Sequence, residues 1–110
     1  MKSICTINSI GDKFWSLNGK LHRKNGPAVE YADGAKYWYV NDKLHREHGP
    51  AIEYFNGAKS WYLNGKRHRK DGPAVESSNG TKEWHYHGNR IYCNDTQEFL
   101  RIIKPSSFLQ

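Results

Sequence analysis

The sequence predicts an all-β fold: a twisted antiparallel meander of 23-residue β-hairpin repeats, with a short C-terminal cap that is helical or irregular. Three observations predict it. WSLNGKLHRKNGPAVEYADGAKY from Trp15 returns as WYVNDKLHREHGPAIEYFNGAKS from Trp38 and as WYLNGKRHRKDGPAVESSNGTKE from Trp61. A period of this length signals stacked supersecondary units, none of which can bury its apolar face alone. Asn18-Gly19 and Asn64-Gly65 are the strongest short-range signal for a two-residue hairpin turn. The apolar content rests on four Trp, seven Tyr and four Phe, residues suited to strands.

The 110 residues form one repeat domain. Residues 1–14 read as a partial unit, because Gly11, Lys13 and Phe14 stand one period before Gly34, Lys36 and Tyr37. Full repeats follow at 15–37, 38–60 and 61–83, and a degenerate repeat with its cap at 84–110. In the second unit, 35–40 is a strand, Asn41-Asp42 its turn and 43–46 its return. That register sets Val40 opposite Lys43, Tyr39 opposite Leu44 and Trp38 opposite His45. At Gly49-Pro50 the strand bends, since proline cannot donate to a ladder. It resumes over 51–54 and turns at Asn56-Gly57. Taken as a second two-residue turn, this pairs Phe55 with Ala58 and Ile52 with Trp61. Tryptophan then shares a core face with Ile52, Val40 and Leu63, while Tyr39, Tyr62, Glu53, Glu76 and Arg46 take the other.

After Trp84 the pattern fails, as a terminal unit must when its outer side meets water. Residues 96–104, TQEFLRIIK, are apolar at 99, 100, 102 and 103, with Asn94 and Asp95 as possible caps and Pro105 as a stop. This segment is expected to cover the open sheet edge.

Trp61-Tyr62-Leu63-Asn64-Gly65-Lys66 followed by His68, and the matching stretch from Trp38 to His45, resemble the MORN repeat. The resemblance covers roughly residues 11–90 and implies hairpin units in a long twisted sheet, used as a scaffold or binding surface. Arg23, Arg46 and Arg69 stand where that family places glycine after the histidine, and a Gly-Pro-Ala step follows. This His-Arg-x-x-Gly-Pro-Ala form is similar to a subtype in phage, viral and bacterial proteins, which implies a phage-encoded inhibitor of a host protein. No residue here carries over the lipid association suggested for some relatives.

The chemistry-bearing columns favour binding over catalysis. His22, His45 and His68 recur two strands apart, about 9–10 Å, too far to share a metal. Each ring is expected to pack on its cross-strand tryptophan and donate to a carbonyl at the kink. A histidine-dependent hydrolase or nuclease is the third reading; no catalytic residue, metal or cofactor is assigned. Arg23, Arg46 and Arg69, interleaved with Tyr39 and Tyr62, would suit RNA or single-stranded DNA. The repeated Glu30, Glu53 and Glu76 instead suggest ion pairs between neighbouring units. Departures from the repeat carry individuality: Phe55 at a turn tip, Arg67 beside Tyr62, and the cluster His85, His87 and Arg90. The leading expectation is a non-enzymatic module that binds a host or bacterial protein, with a homodimer as one way to cover the apolar face. The net charge of +6 favours acidic partners. Two cysteines outside the register suggest a reducing, cytoplasmic setting. MKSICTINSI has no sustained apolar run, so neither a signal peptide nor membrane association is expected.

Overall fold

The structure is a computed structural model describing residues 2–104, an elongated body of 55 × 33 × 18 Å. Strands β1 (Ile4–Ile7), β2 (Lys13–Leu17), β3 (Lys20–Leu21), β4 (Val29–Glu30), β5 (Lys36–Tyr37), β6 (Tyr39–Val40), β7 (Lys43–Leu44) and β8 (Ile52–Glu53) are followed by β9 (Lys59–Ser60), β10 (Tyr62–Leu63), β11 (Lys66–Arg67), β12 (Val75–Glu76), β13 (Lys82–Tyr86) and β14 (Asn89–Ile91), then by helix α1 (Thr96–Ile103). All pairings are antiparallel: β1-β2-β4-β5-β8-β9-β12-β13-β14, with β3 on β2, form one sheet, and β6-β7 and β10-β11 are separate hairpins.

The tip of each hairpin has the expected register. Tyr39 pairs with Leu44 and Val40 with Lys43, and Tyr62 with Arg67 and Leu63 with Lys66. Both turn residues take positive φ at Asn18-Gly19, Asn41-Asp42, Asn64-Gly65 and His87-Gly88, the type I′ geometry that Asn and Gly tolerate best. Successive tips bond to one another: Asp42 N–H donates to Leu21 O at 2.9 Å and Gly65 N–H to Leu44 O at 2.8 Å. Strand 35–40 is broken at Trp38, whose N–H turns to Ala51 O at 2.7 Å.

The second turn departs from expectation. Tyr54 N–H donates to Ala58 O at 2.9 Å, Gly57 N–H to Tyr54 O at 3.0 Å, and Ala58 N–H to Asn56 Oδ1 at 3.0 Å. Phe55, Asn56 and Gly57 therefore make a three-residue loop, with Gly57 at φ 92°. The Asn56 amide oxygen, acting as its own local acceptor, stabilises this longer loop. Its consequence is a one-residue slip: Ile52 pairs with Ser60 and Glu53 with Lys59, not Ile52 with Trp61.

The slip moves tryptophan to the other face. One face carries Phe14, Val29, Tyr37, Ile52, Ser60, Val75 and Glu83, paired strand by strand. The opposite face carries Lys13, Glu30, Lys36, Glu53, Lys59, Glu76 and Lys82, an unbroken ladder of alternating charge. Two residues along the same strands, that register sets Trp15, Ala28, Trp38, Ala51, Trp61, Ala74 and Trp84 in a row. Ala28, Ala51 and Ala74 are completely buried. The alanine of Gly-Pro-Ala is thus the small partner between two indoles, and Arg46, Glu53 and Glu76 lie with the tryptophans, contrary to expectation.

The two ends differ. At the C-terminal end α1 forms over 96–103. The N-cap Asp95 accepts the Glu98 N–H at 2.8 Å, and Glu98 Oε1 accepts the Asn94 N–H at 2.7 Å. Fully buried Phe99 packs edge-on against Tyr86, and Trp84 Nε1–H donates to Thr96 Oγ1 at 3.1 Å. The helix stop expected at Pro105 lies outside the described residues. At the other end the edge strand β1 is exposed along its length, with Ile4 and Ile7 open to solvent. Cys5 and Cys93 are both free thiols.

Candidate functional site

The His-Arg-x-x-Gly-Pro-Ala step is a built clamp. Arg46 Cζ lies 3.8 Å from the centre of the Trp38 ring, and its Nη1 donates to Pro50 O at 3.0 Å and to Glu53 Oε2 at 3.1 Å. Arg23 repeats this on Trp15, Pro27 O and Glu30; Arg69 does so on Trp61, Pro73 O and Glu76. Glycine leaves room beneath the guanidinium: a Cβ at Gly49 or Gly72 would lie 2.8 Å from the arginine Cζ, so the guanidinium would have to move. The arginine–glutamate pairs close within one unit, not between neighbours as expected, because seven residues along the chain carry it round the Gly-Pro bend and back to the same indole. Stacking on a half-buried indole contributes about 0.5–2 kcal/mol, and the partly exposed ion pair no more than ~1 kcal/mol.

Histidine supplies the link between units. The Asn41 N–H donates to His22 Nδ1 at 3.2 Å, the Asn64 N–H to His45 Nδ1 at 3.0 Å and the His87 N–H to His68 Nδ1 at 2.8 Å. The rings therefore accept from the next turn and do not donate to the kink; the arginine, not the histidine, covers the indole. With Nδ1 accepting, the proton of the neutral ring sits on Nε2. At His45 that edge faces Glu47 Oε2 at 3.5 Å. Burial, then His87 and Lys70, push the His68 pKa below its usual value.

The remaining candidates separate. Tyr39 stacks parallel on Tyr37, across the sheet from Arg46, so the expected mingling of arginine and tyrosine does not form. Arg67 Nε–H donates to the Tyr62 hydroxyl at 3.1 Å, as the sequence suggested. Phe55 is 72% exposed on its loop. His85 is buried with Nε2 3.1 Å from Glu83 Oε1, and Arg90 stacks over Tyr92 with Nη1 4.0 Å from Glu83. His87 stacks on His68 with ring centres 4.2 Å apart. Among the described residues no three His, Cys, Asp or Glu side chains converge as a metal set would.

Two features escaped sequence reasoning. Phe14, Tyr31, Tyr37 and Tyr54 form a chain of edge-to-face contacts with ring centres 5.4–6.3 Å apart, extended by Tyr39. The signal was present in the columns: Tyr31 and Tyr54 become Ser77, and Phe14 and Tyr37 become Ser60 and Glu83. Burial raises the pKa of Tyr37 and Tyr39 above the ordinary tyrosine value. On the tryptophan side, two recesses of about 790 and 570 Å³ open between successive His-Arg-x-x-Gly loops, floored by Trp38 with Val40 and by Trp61 with Leu63.

Comparison with known proteins finds no matching family model, no matching curated protein and no matching solved structure.

Proposed function

We propose that this chain is a non-enzymatic, MORN-like repeat scaffold that binds another protein through the aromatic patch of Phe14, Tyr31, Tyr37, Tyr39 and Tyr54. One observation carries this reading: Phe14, Tyr31, Tyr37 and Tyr54 occupy columns that the fold does not need to be aromatic. Towards the C-terminal end the columns of Phe14, Tyr31, Tyr37 and Tyr54 continue as Ser60, Ser77 and Glu83, while that of Tyr39 continues as Tyr62. Tyrosine-rich surfaces offer large, rigid, amphipathic contact area at low entropic cost, which is why binding surfaces concentrate it. The repeat subtype suggests a bacterial protein as partner, and inhibition by a phage-encoded factor is the finer form of the proposal. Nucleic-acid binding has less support, because Arg23, Arg46 and Arg69 are engaged on the face opposite Tyr37 and Tyr39.

The test is capture from nuclease-treated bacterial lysate by the wild-type chain and by a Tyr31→Ser/Tyr37→Ser/Tyr54→Ser variant. Serine already serves in these columns, so the variant is expected to fold. One stoichiometric protein held by the wild type and lost by the variant supports the patch. Equal recovery by both removes it, and recovery abolished by nuclease transfers the reading to nucleic acid.

A further inference from the structure

The two recesses on the tryptophan side are one recess repeated. Every residue lining the first returns in the second exactly one unit along: His22 as His45, Lys24 as Glu47, Asn25 as His48, Trp38 as Trp61. His48 lines both and forms part of the wall between them. Equivalent strands lie two apart in the sheet, so the recesses repeat about every 9.5 Å. An occupant reaching both must present equivalent groups at that interval.

A polyproline II helix does so: three residues per turn at 3.1 Å each return a side chain to the same side about every 9.3 Å. A fully extended strand returns at about 6.8 Å and falls out of step. The lining suits such a chain. Its aromatic and aliphatic floor receives apolar side chains, as in aromatic-lined grooves that read proline-rich peptides. A polyproline II backbone has no internal hydrogen bonds, so its carbonyls need donors. The donors are His22 in the first recess and His68 in the second, each with its proton held on Nε2 by the Nδ1 bond, and the N–H groups beyond Nη1 on Arg46, which lines both; His45 Nε2 faces Glu47 and Arg69 Nε donates to Asp71. The first rim is basic, with Arg23, Lys24 and Arg46 against Glu47, and so complements carbonyl-rich or acidic chain. We propose that this face binds a proline-rich segment of a partner protein in the polyproline II conformation, running across the repeats with every third residue seated in successive recesses. It is independent of the aromatic patch on the other face.

The test uses tryptophan fluorescence and calorimetry with two peptides of equal length, one of four Leu-Pro-Pro units and one of six Leu-Pro units. The first sets leucine at every third position; the second breaks that phase while keeping the backbone. Saturable one-to-one binding of the first, with affinity at least about tenfold above the second, is expected. His48→Trp enlarges the wall shared by the two recesses from an exposed position, obstructs passage between them and should lose about tenfold or more. Asn25→Trp and Asp71→Trp, each filling one, should each weaken binding, so the result does not rest on one variant. The triple tyrosine-to-serine variant should bind the first peptide unchanged, which separates this proposal from the aromatic patch. Equal affinity for both peptides, no binding of the first at millimolar concentration, or indifference to all three tryptophan substitutions would overturn it. So would tighter binding of a β-linked glucan oligomer or an oligothymidylate, which would assign the recesses to a different polymer.

Discussion

The two faces of the main sheet are made from alternate residues of the same strands, yet one is copied from unit to unit and the other drifts. On the copied face, indole, buried alanine, arginine and the lysine–glutamate ladder recur without change through three units. The other face runs from Phe14, Tyr31 and Tyr37 at the N-terminal end to Ser60, Ser77 and Glu83 at the C-terminal end. Identity along the copied face is a packing requirement, because each indole needs its own guanidinium and a small neighbour on the next strand. Drift on the other face is tolerated by the fold, and therefore free to be spent on recognition.

The comparison breaks most readily at Ala51. Ala51→Leu inserts three carbons into a site with no accessible surface between Trp38 and Trp61, and is expected to cost about 1–3 kcal/mol or abolish folding, read as a lowered urea midpoint. Arg46→Ala should cost about 1–2 kcal/mol, since it uncovers Trp38 and leaves Glu53 without its partner. Gly72→Ala tests the equivalent clamp from beneath, where no positive φ strains the backbone: the methyl would displace the Arg69 guanidinium, and the tryptophan emission of the variant should move towards that of Arg69→Ala. If both variants match the wild type in midpoint, the clamp is ornament and the copied face owes its constancy to something else.

The next effect is set by pH. His68 accepts the His87 N–H only when neutral, and its folded pKa is depressed by burial. Its contribution is therefore complete above the unfolded value of about 6.5 and is lost as the pH falls through that value towards the folded pKa. Urea midpoints at about pH 7.5 and about pH 5 should differ by the worth of one hydrogen bond, ~0.5–1.5 kcal/mol. His68→Asn, which keeps an acceptor without titrating, should flatten that difference. The smallest effect sharpens the contrast: Tyr37→Ser should change stability by under about 1 kcal/mol, because Ser60 already occupies its column. A larger loss, measured by the same urea titration, would make the aromatic chain part of the core.

Much of the scaffold was legible before any coordinates. The 23-residue period, the type I′ tips and the pairing of Tyr39 with Leu44 follow from Asn-Gly and Asn-Asp steps, whose positive φ angles are a local property of those residues. The C-terminal cap follows from the apolar spacing of 96–104 behind Asp95. The register of the main sheet was not. Asn56-Gly57 looks like its sibling turns, and only the Asn56 side-chain bond and the Tyr54–Ala58 pairing show that the loop holds three residues. The aromatic patch was missed for the same reason: an inverted face hides which tyrosines share a side.

The sequence by itself determined the repeat, its turns and the fixed spacing that sets Arg23, Arg46 and Arg69 eight residues after a tryptophan and seven before a glutamate. These are recurrences in one dimension. Tertiary structure decided what they are for. A strand repeats every two residues, so one extra residue in a loop exchanges the two faces without altering the pattern of letters. Which side buries tryptophan, which side displays tyrosine, and where recesses open between units depend on how neighbouring strands align, as in the pairing of Ile52 with Ser60 and of Tyr37 with Ile52, and that alignment is fixed by hydrogen bonds between separate strands.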